Sequence, residues 1–535
     1  MGDGTSFQDI ETKALTAQMG NLLEQCKIVA KSTKVGRPSR HLALPEFDIS
    51  PPARDAADKM ASTYFQAFES THRILHIPSF WAEYHRFWEH PESATIVLRL
   101  KVLLVIAIGS SLCEPEDADY SFRDTVHRWI YAAQTWLSGP LEKDRLNISG
   151  LQVHCLTILA RQVFSIGADL VWMSTGSLVN RAMQIGLHRD PKYLPGMSSL
   201  QAELRRRIWA TILEIVVQAS LDSAMPPRIS AEEFDTEAPS NNNDDELDES
   251  TAGLQPHPKD TYTLSSIQLV LLESLPTRLR ILQLLNGLRS ELSYMDVLSL
   301  STKITEACRE CSEFTRNNES SVTPFHRNLL DCLVRRFMIP LHYPFASKAR
   351  TNPLFEYSLK TSIDTAMSII SPEPDERFSR LMSIGGGLFR EGFRYASAIL
   401  TCELLAQVEA QRLDGTPRRN SQYRELLKQA LRDMISMSTQ RIRQGETNIK
   451  GHVFMSMVLA QAEAIEADVA CEFPMAQSGK ESLEFCLDLL QMRASAAAMS
   501  YPGGAVLSAP SLDGGREGSE LDLGLDFFFP DADFF

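Results

Sequence analysis

His188, Arg189 and Asp190 stand side by side in a chain of 535 residues. A titratable base, a fixed cation and a carboxylate are what proton or phosphoryl transfer uses. A phosphoryl-transfer loop built on this triplet needs an Asn further along, at position 195 here, and that position is Pro. The chain also has no glycine-rich loop followed by a strand lysine, and no Asp-Phe-Gly. The competing explanation is a turn. Val171, Thr175, Leu178, Ala182 and Ile185 recur on one helical face just upstream. Gly186 then falls where a left-handed residue ends a helix, Leu187 can fold back on the last turn, and Pro191 prevents resumption. His188 and Arg189 suit the negative end of that helix. The expectation is that Arg189 and Asp190 fix an inter-helix turn and pair with neighbours.

Asp244-Asp245-Glu246-Leu247-Asp248 is the second candidate. It fits the aspartate-rich pattern of class I terpene synthases, which are also all-α and use such carboxylates to hold magnesium against a diphosphate, since magnesium prefers hard oxygen ligands. Asp244, Asp245 and Asp248 would be the ligands. Against this, the acids follow Pro239-Ser240-Asn241-Asn242-Asn243, a turn-forming run, which predicts a solvated loop. No second Asn/Ser/Glu metal motif follows. Cys308 and Cys311 are two thiols three residues apart in a helical pattern. A structural zinc site needs four ligands, and His326 and Cys332 are at no zinc-site spacing, so buried thiols are expected. Ser383-Ile384-Gly385-Gly386-Gly387 follows no strand and lacks a nucleophile or lysine, which reads as a helix break.

The elements that position these residues are helical. Apolar residues recur at three- and four-residue steps almost everywhere, so the chain reads as all-α with roughly a dozen helices or more. After Pro191, Ser198 and Gln201 suit a capping box. Leu204, Ile208, Ile212, Ile215 and Ala219 line the buried face of the next helix, with Glu203 and Arg207 expected to pair on its outer face. With 44% hydrophobic residues the chain can bury a large core. A net charge of −15 opposes a body that wraps nucleic acid, because phosphate binding needs a basic footprint. The nine cysteines are scattered and odd in number, which suits a reducing compartment. No basic start followed by an apolar run marks a secretory signal, and the longest apolar run, Val102 to Ile108, is too short to span a bilayer, so no membrane role is expected.

Three segments depart from the body. Residues 1–50 form a polar arm in which Leu15, Met19, Leu22, Cys26 and Val29 follow a 4-3-4-3 spacing, a short coiled-coil seam, so residues 10–30 suggest a homo- or heterodimer. Lys31, Lys34, Arg37 and Arg40 follow, around a Gly36-Arg37-Pro38 of the kind that lays an arginine in a narrow minor groove; a nuclear import signal or solvated linker also fits. Residues 231–262 form an acidic loop within a body spanning 51–495. Residues 496–535 begin as a small-residue linker and end in "ELDLGLDFFFPDADFF". There Leu521, Leu523, Leu525, Phe527, Phe528, Phe529, Phe534 and Phe535 alternate with acids, and no base follows Arg516. Acidic-hydrophobic alternation is the composition of a disordered activation segment. The acids keep the aromatics in water until they dock in a partner's groove and order there.

With these strings assembled, residues 168–250 resemble the middle homology region of fungal zinc-cluster transcription factors. The shared order runs through Gly176, Arg181-Ala182 and "IGLHRDP" at 185–191, which holds Gly186, Leu187, His188, Arg189, Asp190 and Pro191. It continues with "RRRIW" at 205–209, which holds Arg206, Arg207 and Trp209, then "LEIVVQASLDSAMPPRIS" and "PSNNNDDEL". "HIPSFWAEYHRFW" at 76–88 and "LVRRFMIPLHYPFASKARTNPLFEYS" at 333–358 extend the likeness to roughly residues 60–480. The resemblance implies an all-helical regulatory body, a nuclear location, control of a metabolic or biosynthetic pathway, coactivator partners, a possible small-molecule effector and no enzymatic activity. It also implies a six-cysteine binuclear zinc cluster upstream. Here Cys26 alone precedes Cys113, so the zinc ligands are absent from this sequence and no cofactor is expected. DNA would then be reached weakly, or through a partner.

Overall fold

The computed structural model describes residues 7–35, 49–113, 120–139, 145–167, 170–194, 196–251, 253–384, 388–414 and 420–499. Among these there are helices and turns and no strand, as the three- and four-residue periodicity requires. The described residues form, in chain order, α1 (Phe7–Val35), α2 (Arg54–Ala67), α3 (Ile77–Glu89), α4 (Ile96–Ser110), α5 (Tyr120–Ser138), α6 (Ile148–Phe164), α7 (Val171–Gln184), α8 (Ser199–Asp222), α9 (Ser266–Glu273), α10 (Leu275–Asn286), α11 (Tyr294–Asn317), α12 (Pro324–Arg335), α13 (Met338–Ala346), α14 (Glu356–Ile370), α15 (Glu376–Ile384), α16 (Arg390–Asp414), α17 (Ser421–Gln444), α18 (Lys450–Glu466) and α19 (Glu472–Met499). None is long and apolar enough to cross a membrane. Two compact units emerge. One is drawn from Met1–His41, Asp119–Phe122 and Ser397–Phe535, the other from Leu42–Ala118 and Arg123–Ala396.

In the larger unit, helices that are apolar all round sit at the centre and amphipathic ones surround them. Leu100 and Val102 to Ile108 of α4 are sealed from solvent, and so is α6 from Gly150 to Phe164. Helix α8 lies against α6, α7 and α10 and is buried on every side from Arg207 to Leu221. Side-chain caps set several starts: Thr95 Oγ1 accepts Leu98 N–H, Asn147 Oδ1 accepts Gly150 N–H, and Ser198 Oγ accepts Gln201 N–H at 3.2 Å. Of the box expected at Ser198 this half alone is present among the described bonds.

In the smaller unit α1 is packed on α19 and α18. The apolar positions expected to form an intermolecular seam are occupied from within the chain: Leu15, Met19 and Cys26 are buried there. Helix α19 runs to Met499, past the boundary at 495 expected from composition. Gly385, Gly386 and Gly387, the basic residues Arg37 and Arg40, and the C-terminal residues Leu521 to Phe535 lie outside the described residues. Lys31 is exposed on α1, and Lys34 belongs to its last turn.

Candidate functional site

Helix α7 ends as its sequence dictates. Gly186 takes φ +79°, and its N–H donates to Met183 O at 2.9 Å. Leu187 N–H reaches back to Ala182 O at 2.9 Å, and the Leu187 side chain is fully buried. This paired-bond ending satisfies the last carbonyls and turns the chain sharply. The turn delivers Asp190 into the protein. Asp190 Oδ1 accepts Lys192 N–H at 2.9 Å, which starts a 3₁₀ turn at Pro191–Tyr193. Arg206 of α8 grips both oxygens, Nε to Oδ2 at 2.9 Å and Nη2 to Oδ1 at 2.8 Å, and Glu237 N–H adds a bond to Oδ2 at 2.9 Å. Burial alone would raise the carboxyl's pKa, but the bonds from Arg206, Lys192 and Glu237 outweigh it and hold the group at about 2. Arg189 turns outward, pairs with Asp235 at 3.2 Å and lies over the Tyr193 ring. His188 contributes its carbonyl, which accepts Asp235 N–H at 3.0 Å.

Asp244 corrects the expectation of a solvated acidic loop, because its side chain is 2% exposed. Oδ1 accepts from Arg73 and from Arg207 Nη1, the latter at 2.6 Å. Oδ2 accepts Ile77 N–H at 2.8 Å, so a residue far along the chain caps the start of α3. Burial pushes the carboxyl up, and Arg73 and Arg207 more than reverse this, leaving it below the ordinary range. Glu203 and Arg207, expected on an outer face, are each 1% exposed and paired at 3.2 Å. The loop 231–262 lies over that face: Ser240 N–H donates to Glu203 Oε1 at 2.9 Å, and Phe234 meets Trp209 edge-on at 5.7 Å. Trp209 itself is 1% exposed. Beside this ion-pair knot of Arg73, Glu203, Arg207 and Asp244, Glu69 is sealed from solvent and accepts Tyr64 O–H and Leu75 N–H, each at 2.7 Å; burial raises its pKa to about 8.

The structure thus brings Asp190, Arg206, Arg207 and Asp244 together around α8 and leaves Asp245 and Asp248 apart, both exposed. Asp248 closes on its own turn, accepting from Ser250 and Thr251. Asp244, Asp245 and Asp248 therefore do not converge as magnesium ligands, and Asp244 has its lone pairs committed to arginine and backbone donors. Among the described residues no three or more His, Cys, Asp or Glu side chains are gathered as a metal site would gather them. Cys26 is buried, donates to Leu483 O, and is pushed up to about 11 by burial; Cys308 and Cys311 are pushed to about 12 for the same reason. These thiols lie in the core, where burial favours the protonated form. His326 bonds to Thr323 Oγ1 at 2.8 Å and is lowered by burial to about 4.

Sequence reasoning missed Arg73, Glu69, Arg278 and Arg336. Arg278 Nη1 bonds to Glu214 at 2.8 Å, and Arg336, lowered by burial to about 10, pairs with Asp222 and donates to Leu388 O. Arg278 and Arg336 sit in the predominantly apolar strings "LPTRLRILQLL" and "LVRRFMIPL", a pattern that calls for a buried partner. Nothing local marks Arg73. The arrangement is suited to pinning loops onto helices and offers no open carboxylate pair for acid–base or metal chemistry.

Comparison with known proteins follows the same stretch. The family model described as the fungal specific transcription factor domain matches residues 61–326, which contain the whole ion-pair knot. The chain is 45% identical over 537 residues to transcription factor asR3 of Sarocladium schorii, covering 90% of this chain and 63% of that protein. It is 33% identical to transcription factor opdR of Penicillium oxalicum, covering 92% of this chain and 66% of that one. It is 30% identical to the aspyridones cluster regulator apdR of Emericella nidulans, covering 76% and 57%. The chain thus spans at most about two thirds of the length of these curated relatives. No solved structure matches it.

Proposed function

The chain belongs to the fungal specific transcription factor family, and from that premise we propose that it regulates transcription in the nucleus, with no catalytic step of its own. The observation that carries this reading is the fate of the acids. Asp190 and Asp244, the carboxylates best placed by sequence to do chemistry, are saturated by donors from their own chain. The helical body is then a scaffold, and the output lies in the acidic, phenylalanine-rich residues 520–535, which recruit coactivators. Charge supports the division: in a chain of net −15, Lys31, Lys34, Arg37 and Arg40 form a basic stretch uninterrupted by any acid, so DNA is reached weakly through that arm or through a partner protein. The name of the Emericella nidulans relative, a cluster regulator, favours control of a set of biosynthetic genes.

Fusing residues 500–535 to an unrelated DNA-binding domain tests the assignment of the output. Reporter transcription should rise, and replacing Phe527, Phe528, Phe529, Phe534 and Phe535 with Ala should abolish the rise. A silent reporter would remove the activation role from this segment.

A further inference from the structure

Helix α1 carries the repeat Leu15, Met19, Leu22, Cys26, Val29. Such a seam is filled by another helix with the same repeat. In this chain that helix is α19, where Ala476, Gly479, Leu483, Cys486 and Leu490 succeed one another at steps of three and four. Leu15, Met19 and Cys26 are buried in one cluster with Ala476, Leu483, Cys486 and Leu490, completed by Val453 and Met457 of α18. The contacts fix direction. A Cβ on Gly479 would lie 2.5 Å from Met19 Cε and 3.1 Å from Met19 Sδ, so the glycine is the seat of that side chain. Two turns further along α1, Cys26 Sγ donates to Leu483 O at 3.7 Å. Residue numbers rise together on the two helices, so α1 and α19 run parallel.

A parallel helix with a 4-3 repeat is what a second copy of α1 would present across a two-fold dimer. We propose that α1 is held in cis in a groove formed by α18 and α19, and that seating there excludes its pairing with a second copy of the chain. Helix α19 occupies the position a partner's α1 would take. The inference goes beyond the regulatory reading and does not depend on it.

Sedimentation velocity and alkylation of Cys26 and Cys486, read peptide by peptide, test it on the full chain over a roughly hundredfold concentration range. A one-chain mass is expected, with slow alkylation at both thiols that is unchanged by dilution. A two-chain mass with Cys26 alkylation that rises on dilution would place α1 against a second copy and overturn the proposal. Gly479→Leu fills the Met19 seat and leaves the seam of α1 intact. It should speed Cys26 alkylation about tenfold and produce concentration-dependent dimers, with Gly479→Ala nearer wild type. Unchanged rate and mass in Gly479→Leu would also overturn it. Should that variant lose its helical signal, hydrogen exchange of the wild type at the lowest concentration decides: α1 amides as protected as those of α19 support the seat, and freely exchanging α1 amides refute it.

Discussion

At the scale of single residues, the protein's acids divide by what surrounds them. Asp244 is held by two buried arginines and a helix N–H, while its neighbour Asp245 faces water. Removing one member of a buried ion-pair cluster strands the others in low dielectric, at a cost of about 3–5 kcal/mol. Asp244→Ala should therefore destabilise the larger unit by roughly that amount, measured by urea denaturation, whereas Asp245→Ala should stay within about 0.5 kcal/mol. Equal effects would mean that the two carboxylates share one environment, as a metal site would have them do. The sequence singled out Asp244 but not its burial, and did not mark its partner Arg73. An Asn/Asp-rich run of turn formers is usually solvated. Its burial depends on Arg73, which is distant in sequence and is brought to Asp244 only by the packed fold. Glu203 was misplaced for the same reason: a helix-face count assigns polar residues outward, and here a loop covers that face.

At the scale of elements, local rules performed well where they act alone. The end of α7 needs a left-handed residue, and glycine adopts it without strain. Gly186→Ala keeps the turn only by forcing a Cβ into that conformation, at about 1–2 kcal/mol. The variant should melt lower than the wild type in a thermal scan, and an unchanged melting temperature would show that the ending is not a constraint. The cap at Ser198 and the apolar face of α7 were likewise legible from residue types. The seam of α1 was legible as a repeat, yet its partner was not. A 4-3 pattern states that a helix will be covered, and says nothing of whether the cover comes from another chain or from residues 476–490 of the same one.

At the scale of the whole molecule, order among motifs carried the most information. No single string between residues 168 and 250 identifies a family, but their succession does, and the family model spans them from residue 61 to 326. What that order could not convey is the function of each polar residue, because the same His-Arg-Asp serves catalysis in one setting and a turn in another. Here the ion pairs around α8 bind the loop 231–262 to the helices. The most direct test of the central claim is transcript profiling of the source organism with the chain's gene deleted and then restored. Regulation predicts that a coherent set of biosynthetic transcripts shifts on deletion and returns on restoration. A transcript profile that is indifferent to the chain would contradict it.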